Sequence, residues 1–110
     1  MTAERRRTQR YVVEGLDVRV DGTQRPVLDM SSDHIRLLCC GRDHAPPPSI
    51  TLDVSSQEGF PALRFRCAAT LVRTTLREAV YAYHAPLADW PYRLPAFDTF
   101  KDFHLADLEG

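Results

Sequence analysis

Through the middle of the chain, apolar and polar residues change places at every second position, and this period decides what it can fold into. Leu16, Val18 and Val20 alternate with Asp17, Arg19 and Asp21. Ile50, Leu52 and Val54 repeat the pattern. Leu63, Phe65, Cys67, Ala69 and Leu71 share one parity, with Arg64, Arg66 and Thr70 on the other. Successive side chains of an extended chain leave on opposite faces, so each run reads as a half-buried strand. Further strands are predicted around Pro26 to Leu28, across Ile35 to Cys40, and over Ala79 to Ala85 with Val80, Tyr81 and Tyr83. Turn signals separate them. Asp21-Gly22 is a hairpin-type pair. Pro46 to Pro48 exclude a central strand from the loop Gly41 to Ser49. Ser55 to Pro61 is polar and contains Gly59, and a turn is expected around Thr74 to Glu78. Short strands at regular spacing predict a mainly β fold, a small barrel or sandwich.

After Pro86 the character changes. Trp90-Pro91 and Leu94-Pro95 read as punctuation in a linker. Phe97, Phe100, Phe103 and Leu108 then fall at helical spacing, with Pro95 near the first turn, predicting an amphipathic helix over 96–108. Its aromatic face would pack on the sheet or across a dimer interface. At 110 residues the chain supports one domain, and its 44% hydrophobic content is enough for a modest core. The division expected is a flexible basic arm over residues 1–10 and a single domain over 11–110. No apolar run approaches the ~20 residues needed to span a bilayer. No apolar stretch follows the N-terminal arginines as a secretory signal requires, so a cytoplasmic location is expected.

Cys39, Cys40 and Cys67 are an odd number and make no disulfide framework. Cys39 and Cys40 lie in an apolar run and read as buried small hydrophobes. A metal site from Cys39, Cys40 and His44 is the alternative, but paired zinc cysteines are usually spaced by two to four residues. No metal and no resident cofactor are expected.

Charge is concentrated rather than spread. Thirteen of the fourteen basic residues are Arg, and Arg5, Arg6, Arg7 and Arg10 fall within six positions of a chain whose formal charge is −1. Nucleic-acid polymers usually call for a broadly basic domain, whereas one compact dianion needs a single cluster. Arg suits a guanine nucleotide, because its planar fork pairs with phosphate oxygens or with guanine O6 and N7. Read without a ligand, the same segment is a solvated tail.

A second segment, Leu28-Asp29-Met30-Ser31-Ser32-Asp33-His34-Ile35-Arg36-Leu37, carries its own chemistry. An ionised Asp29 accepts hydrogen bonds only, matching the N1 and N2 donors of guanine, and the Ser31 hydroxyl can donate or accept. Two residues apart on an extended segment, they would project to the same face. Asp, Ser, Ser and Asp between apolar runs are equally the makings of a turn.

Taken together, Arg6-x-x-x-Arg10 and Asp29-x-Ser31 resemble the R-x-x-x-R and D-x-S-x-x-G motifs of PilZ domains, small bacterial modules that typically bind cyclic di-GMP. The resemblance covers roughly residues 4–85. His34 stands where the family has Gly. The resemblance implies a six-stranded antiparallel β-barrel followed by a helix. It implies cyclic di-GMP as ligand, with Arg6 and Arg10 gripping phosphate and the guanine edge and Asp29 and Ser31 reading guanine. Arg5 and Arg7 would add charge or stack. The arm would fold over the ligand and offer a changed surface to a downstream protein, from a monomer or homodimer. At His34 it implies a glycine-like backbone, or a clearance that the imidazole would fill unless it stacks on the base.

Other classes compete. One is a PilZ-like interaction module, independent of nucleotide, in motility or pilus regulation. Another is a nucleic-acid-binding barrel in which Phe65, Tyr81 and Tyr83 stack bases, although parity places Phe65 with the core. An enzyme is not expected. His34, His44, His84 and His104 are scattered, and proximity of Asp29, Ser31 and His34 in sequence does not make a triad.

Overall fold

The computed structural model describes residues 9–39 and 45–100. Seven strands form one curled antiparallel sheet, a half-barrel. They are β1 (Leu16–Val20), β2 (Thr23–Gln24), β3 (Val27–Met30), β4 (His34–Leu38), β5 (Ser49–Ser56), β6 (Arg64–Thr74) and β7 (Glu78–Tyr83). Their order in the sheet is β2-β1-β5-β6-β7-β4-β3. The long strands β5, β6 and β7 make a central meander, flanked by the hairpins β1–β2 and β3–β4.

The strand missed by the sequence reading is β2. Asp21 and Gly22 have φ of 51° and 89°, the doubly left-handed geometry that suits a two-residue hairpin turn. Val20 therefore pairs directly with Thr23, and Arg19 with Gln24. Pro26, which has no N–H to give a ladder, follows this two-residue return strand almost at once. The other six strands fall on the six predicted runs, with ends shifted by a few residues.

Burial follows the predicted parity. Val18, Val20, Ile50, Leu52, Val54, Phe65 and Ala69 are core residues, while Arg64 and Arg66 are exposed. Ile35, Leu37, Tyr81 and Tyr83 complete the inner face. Cys39 and Cys67 are half-buried and packed on that core. Cys40 and His44 lie outside the described residues. Among the described residues no group of His, Cys, Asp or Glu is placed to hold a metal ion, and no helix is long and apolar enough to cross a membrane.

Among the described residues, the helical segment near the C-terminus begins before the range that the phenylalanine spacing predicts. A short helix, α1 (Trp90–Arg93), runs into a single 3-10 turn over Leu94–Phe97, inside the segment read as a linker. Asp98 is already extended, and residues 101–108 lie outside the described residues. Proline is the physical reason. Pro91 and Pro95 each sit in the first turn of a short helix, where a missing N–H costs nothing. They start these helices rather than separate them. Trp90, Leu94 and Phe97 are sunk in the core, and the Trp90 ring meets Phe65 edge-on at 5.0 Å. Phe100 remains exposed.

The chain entering the domain is held on two sides. Tyr11 bridges Met30 of β3, and Val13 bridges Asp98. Just beyond, Gly15 adopts φ of 82°, and a Cβ built there would lie 2.4 Å from the Phe60 ring. That ring stacks on Phe97 at 6.0 Å, so it has little room to retreat. Gly15→Ala should cost roughly 2–5 kcal/mol, combining left-handed strain of about 1–2 kcal/mol with overpacking of about 1–3 kcal/mol. Gly22→Ala, with open space around the new methyl, should cost only about 1–2 kcal/mol. Urea denaturation of the two variants measures the difference; equal losses would show that Phe60 gives way.

Candidate functional site

The β3–β4 hairpin gathers most of the residues singled out in the sequence. Met30 is fully buried and anchors the end of β3. The chain then turns through Ser31, Ser32 and Asp33 and re-enters the sheet at His34, which pairs with Ala82 of β7. Ser31 holds this turn. Its Oγ accepts the His34 N–H at 3.0 Å and donates to Asp33 Oδ1 at 3.0 Å. With only 3% of its surface exposed, the hydroxyl is used inside the fold. The turn reading of the Asp-Ser segment thus accounts for Ser31, and direct contact with a base is not available to it in this geometry.

Ser31 also ends a buried polar chain. Trp90 Nε1 donates to Tyr83 Oη at 2.8 Å, and Tyr83 Oη donates to the Ser31 carbonyl at 2.6 Å. Burial pushes the Tyr83 hydroxyl well above the usual phenol range, against the smaller opposing effect of the Trp90 hydrogen bond. It therefore stays protonated and fills both roles. Among the described residues, no buried side-chain polar atom lacks a partner.

Asp29 and Arg36 face each other in register across β3 and β4. Both Arg36 Nε and Nη2 donate to Asp29 Oδ2, and Arg36 Nη1 reaches Glu78 Oε1 at 3.3 Å. Hydrogen bonding to Asp29 raises the Arg36 guanidinium above its ordinary value, with burial opposing. The Asp29 side chain is 13% exposed. Its charge is already balanced by Arg36, which lies in the same sequence segment.

His34 corrects an expectation. It opens β4 in extended backbone, and Asp21 is the only non-glycine with positive φ among the described residues. No glycine-like strain is stored there. The imidazole Nδ1 lies 2.9 Å from Asp33 Oδ1, with both side chains largely in solvent. Burial alone would raise the Asp33 carboxyl; hydrogen bonds from His34 and Ser31 outweigh it and hold the group below its ordinary 3.8.

Arg10 arrives beside this hairpin. Tyr11 donates to the Met30 carbonyl at 2.7 Å and Met30 donates back at 2.9 Å. Met30 lies between Asp29 and Ser31, so the exposed Arg10 is one residue from that pair. Arg5, Arg6 and Arg7 lie outside the described residues.

Two other readings meet the geometry here. Phe65, Tyr81 and Tyr83 are 5%, 2% and 5% exposed, so their faces cannot stack nucleic-acid bases. In a nucleophile triad the imidazole sits between hydroxyl and carboxylate. Here Asp33 sits between Ser31 and His34 instead, so these three residues are not arranged as that relay. Comparison with known proteins found no matching family model, curated protein or solved structure.

Two outcomes follow from the hydrogen bonds. Tyr83→Phe should destabilise by about 1–3 kcal/mol for each buried group left unpaired, Trp90 Nε1 and the Ser31 carbonyl; an unchanged urea midpoint would show that water replaces the hydroxyl. Asp33 has a depressed carboxyl, so its stabilisation is present above its ordinary value and is lost as pH falls through the folded-state value. Asp33→Asn should therefore flatten the loss of melting temperature below about pH 4. An acid limb as steep as the parent's would place that sensitivity elsewhere.

Proposed function

We propose that this half-barrel is a PilZ-like receptor module for cyclic di-GMP that signals to a protein partner rather than catalysing a reaction. One observation carries the reading. The Tyr11–Met30 bridge brings the last arginine of R-x-x-x-R alongside the β3–β4 hairpin that carries D-x-S. Residues 19 to 21 positions apart in sequence thereby become neighbours, and a ligand with two phosphates and two guanines could touch both segments.

The roles shift in detail from those the resemblance implies. Arg6 and Arg10, with Arg5 and Arg7 beside them, supply cations for phosphate and for guanine O6 and N7. Asp29 keeps Oδ1 free of hydrogen bonds among the described residues, while Oδ2 is held by Arg36. Ser31 acts by fixing the turn. The barrel here is open and has a seventh, two-residue strand at its edge, so the six-stranded family plan is an approximation to it.

One feature favours a second reading. Asp29 and Ser31 are both engaged within the fold, as suits a module that works through protein contacts without nucleotide. Calorimetric titration with cyclic di-GMP, with GTP as control, separates the two. Arg6→Ala or Arg10→Ala should lose about 1.5–3 kcal/mol of binding. Arg10→Ala should leave the melting temperature nearly unchanged, because Arg10 is exposed. His34→Gly should not tighten binding, since no left-handed strain is there to relieve, and should cost about 0.5–1 kcal/mol of stability as glycine in a strand. Absence of binding by the parent would leave the nucleotide-independent module; tighter binding by His34→Gly would show that the imidazole fills ligand space.

A further inference from the structure

We infer that a cavity at one end of the half-barrel binds an amphiphile with an apolar tail and a carboxylate head, the head facing Arg25. This site does not rest on the cyclic di-GMP reading and lies at the opposite end from the β3–β4 turn. The two ends of the half-barrel differ. At one, Trp90, Leu94 and Phe97 are sunk into the core, and Trp90 is tied to Tyr83, the last residue of β7. The other end is where β1 and β4 finish and β3, β5 and β7 begin. A cavity of about 610 Å³ opens there. Its floor is the core itself. Val20, Leu37, Ala79 and Tyr81 line it and are 7%, 2%, 2% and 2% exposed. The volume lies within the roughly 300–1,000 Å³ of small-molecule sites, and the mouth of a β-barrel is a preferred place for one.

The walls set the class of ligand. Cys39 continues the inward parity of Ile35 and Leu37 and is half-buried in the lining. Pro26, Pro46 and Pro47 add apolar surface. Two hydrogen bonds hold this frame in place before any ligand arrives. Tyr81 Oη donates to the Pro47 carbonyl at 2.7 Å, and Arg25 Nη2 donates to the Leu38 carbonyl at 3.1 Å. Arg25 is the one cation among the described lining residues, and it is half-buried. A guanidinium has five N–H donors. Among the described residues, the Arg25 side chain bonds the neutral Leu38 carbonyl and no carboxylate. Such a cation is complementary to a carboxylate, which its planar fork can hold by two parallel bonds. Asp21 is the one carboxylate among the described lining residues. It is exposed at the hairpin tip, and its Oδ1 accepts the Thr51 amide at 2.8 Å. An apolar tail laid on the floor therefore places its head beside Arg25.

The test titrates hexanoate, octanoate and decanoate into the full chain by calorimetry, with octan-1-ol and octylammonium as head-group controls. Affinity should rise about tenfold with each two added methylenes. Octanoate should bind about tenfold more tightly than either control. Arg25→Gln should remove that preference and leave octan-1-ol binding unchanged. Cys39→Phe fills the cavity from its lining while Arg25 keeps its bond to Leu38. It should weaken all three acids by about tenfold or more, and it decides the matter if Arg25→Gln does not fold. Arg10→Ala should change none of these affinities, because Arg10 stands at the other end of β3. No saturable binding of decanoate to the folded parent would overturn the site. So would affinity that ignores tail length, octylammonium binding as tightly as octanoate, or full affinity in a folded Cys39→Phe. Each of these results leaves the cyclic di-GMP reading standing.

Discussion

The Tyr83 hydroxyl joins parts of the chain that are far apart in sequence. It is buried at the end of β7, accepts from Trp90 in α1 and donates to Ser31 in the β3–β4 turn. An indole N–H or a carbonyl left unpaired in such an interior costs about 1–3 kcal/mol, so the three groups are held in one arrangement. The consequences spread from there. Trp90 fixes α1, and the chain continues through Phe97 to Asp98. The Phe97 carbonyl accepts the Glu14 N–H at 2.8 Å, and the Val12 carbonyl accepts the Thr99 N–H at 2.7 Å. The entering strand is thus pinned from its far side, and Tyr11 is delivered to Met30, next to Ser31. The path returns to the turn where it began. The placement of Arg10 beside the hairpin rests on a buried tyrosine that belongs to neither motif.

What was legible in the sequence was the part governed by local period. Residues 16–20, 50–54 and 63–71 alternate because one face of each strand is buried, and that face is the observed core. The parts that were not legible turn on residues with two uses. Proline ends a helix or starts one, and at Pro91 and Pro95 it starts one. Serine and aspartate bind ligands or close turns, and Ser31 closes a turn. The Tyr83–Ser31 bond spans 52 positions, beyond the reach of any local pattern. The Asp29–Arg36 pair was within reach. Opposite charges either side of a short turn, each next to an inward residue, are the pattern of a cross-strand ion pair.

That pair also reassigns the chemistry of the hairpin. Asp29 and Arg36 are partly sheltered, and Glu78 shares the guanidinium. Separating Asp29 from Arg36 to serve a ligand would leave a sheltered cation with less compensation, a penalty that buried or half-buried pairs impose when one partner leaves. Asp33 lies outside that ion pair: its side chain is 55% exposed and its Oδ1 is bonded to Ser31 and His34.

The same reasoning bears on the arm. Fixing the backbone of one residue costs about 1–2 kcal/mol, and ordering a long side chain such as Arg costs up to a further ~2 kcal/mol. Tyr11 is held by two backbone hydrogen bonds to Met30, and Arg10 is joined directly to it. A ligand that engages Arg10 therefore has mainly a side chain to order, and this lowers the entropic opposition to binding. An arm tethered only at residues 13 and 14 would meet the full backbone cost at Arg10 as well. The Tyr11–Met30 bridge thus acts on geometry and on entropy together. It sets where Arg10 stands, and it fixes the backbone next to that side chain before any contact is made.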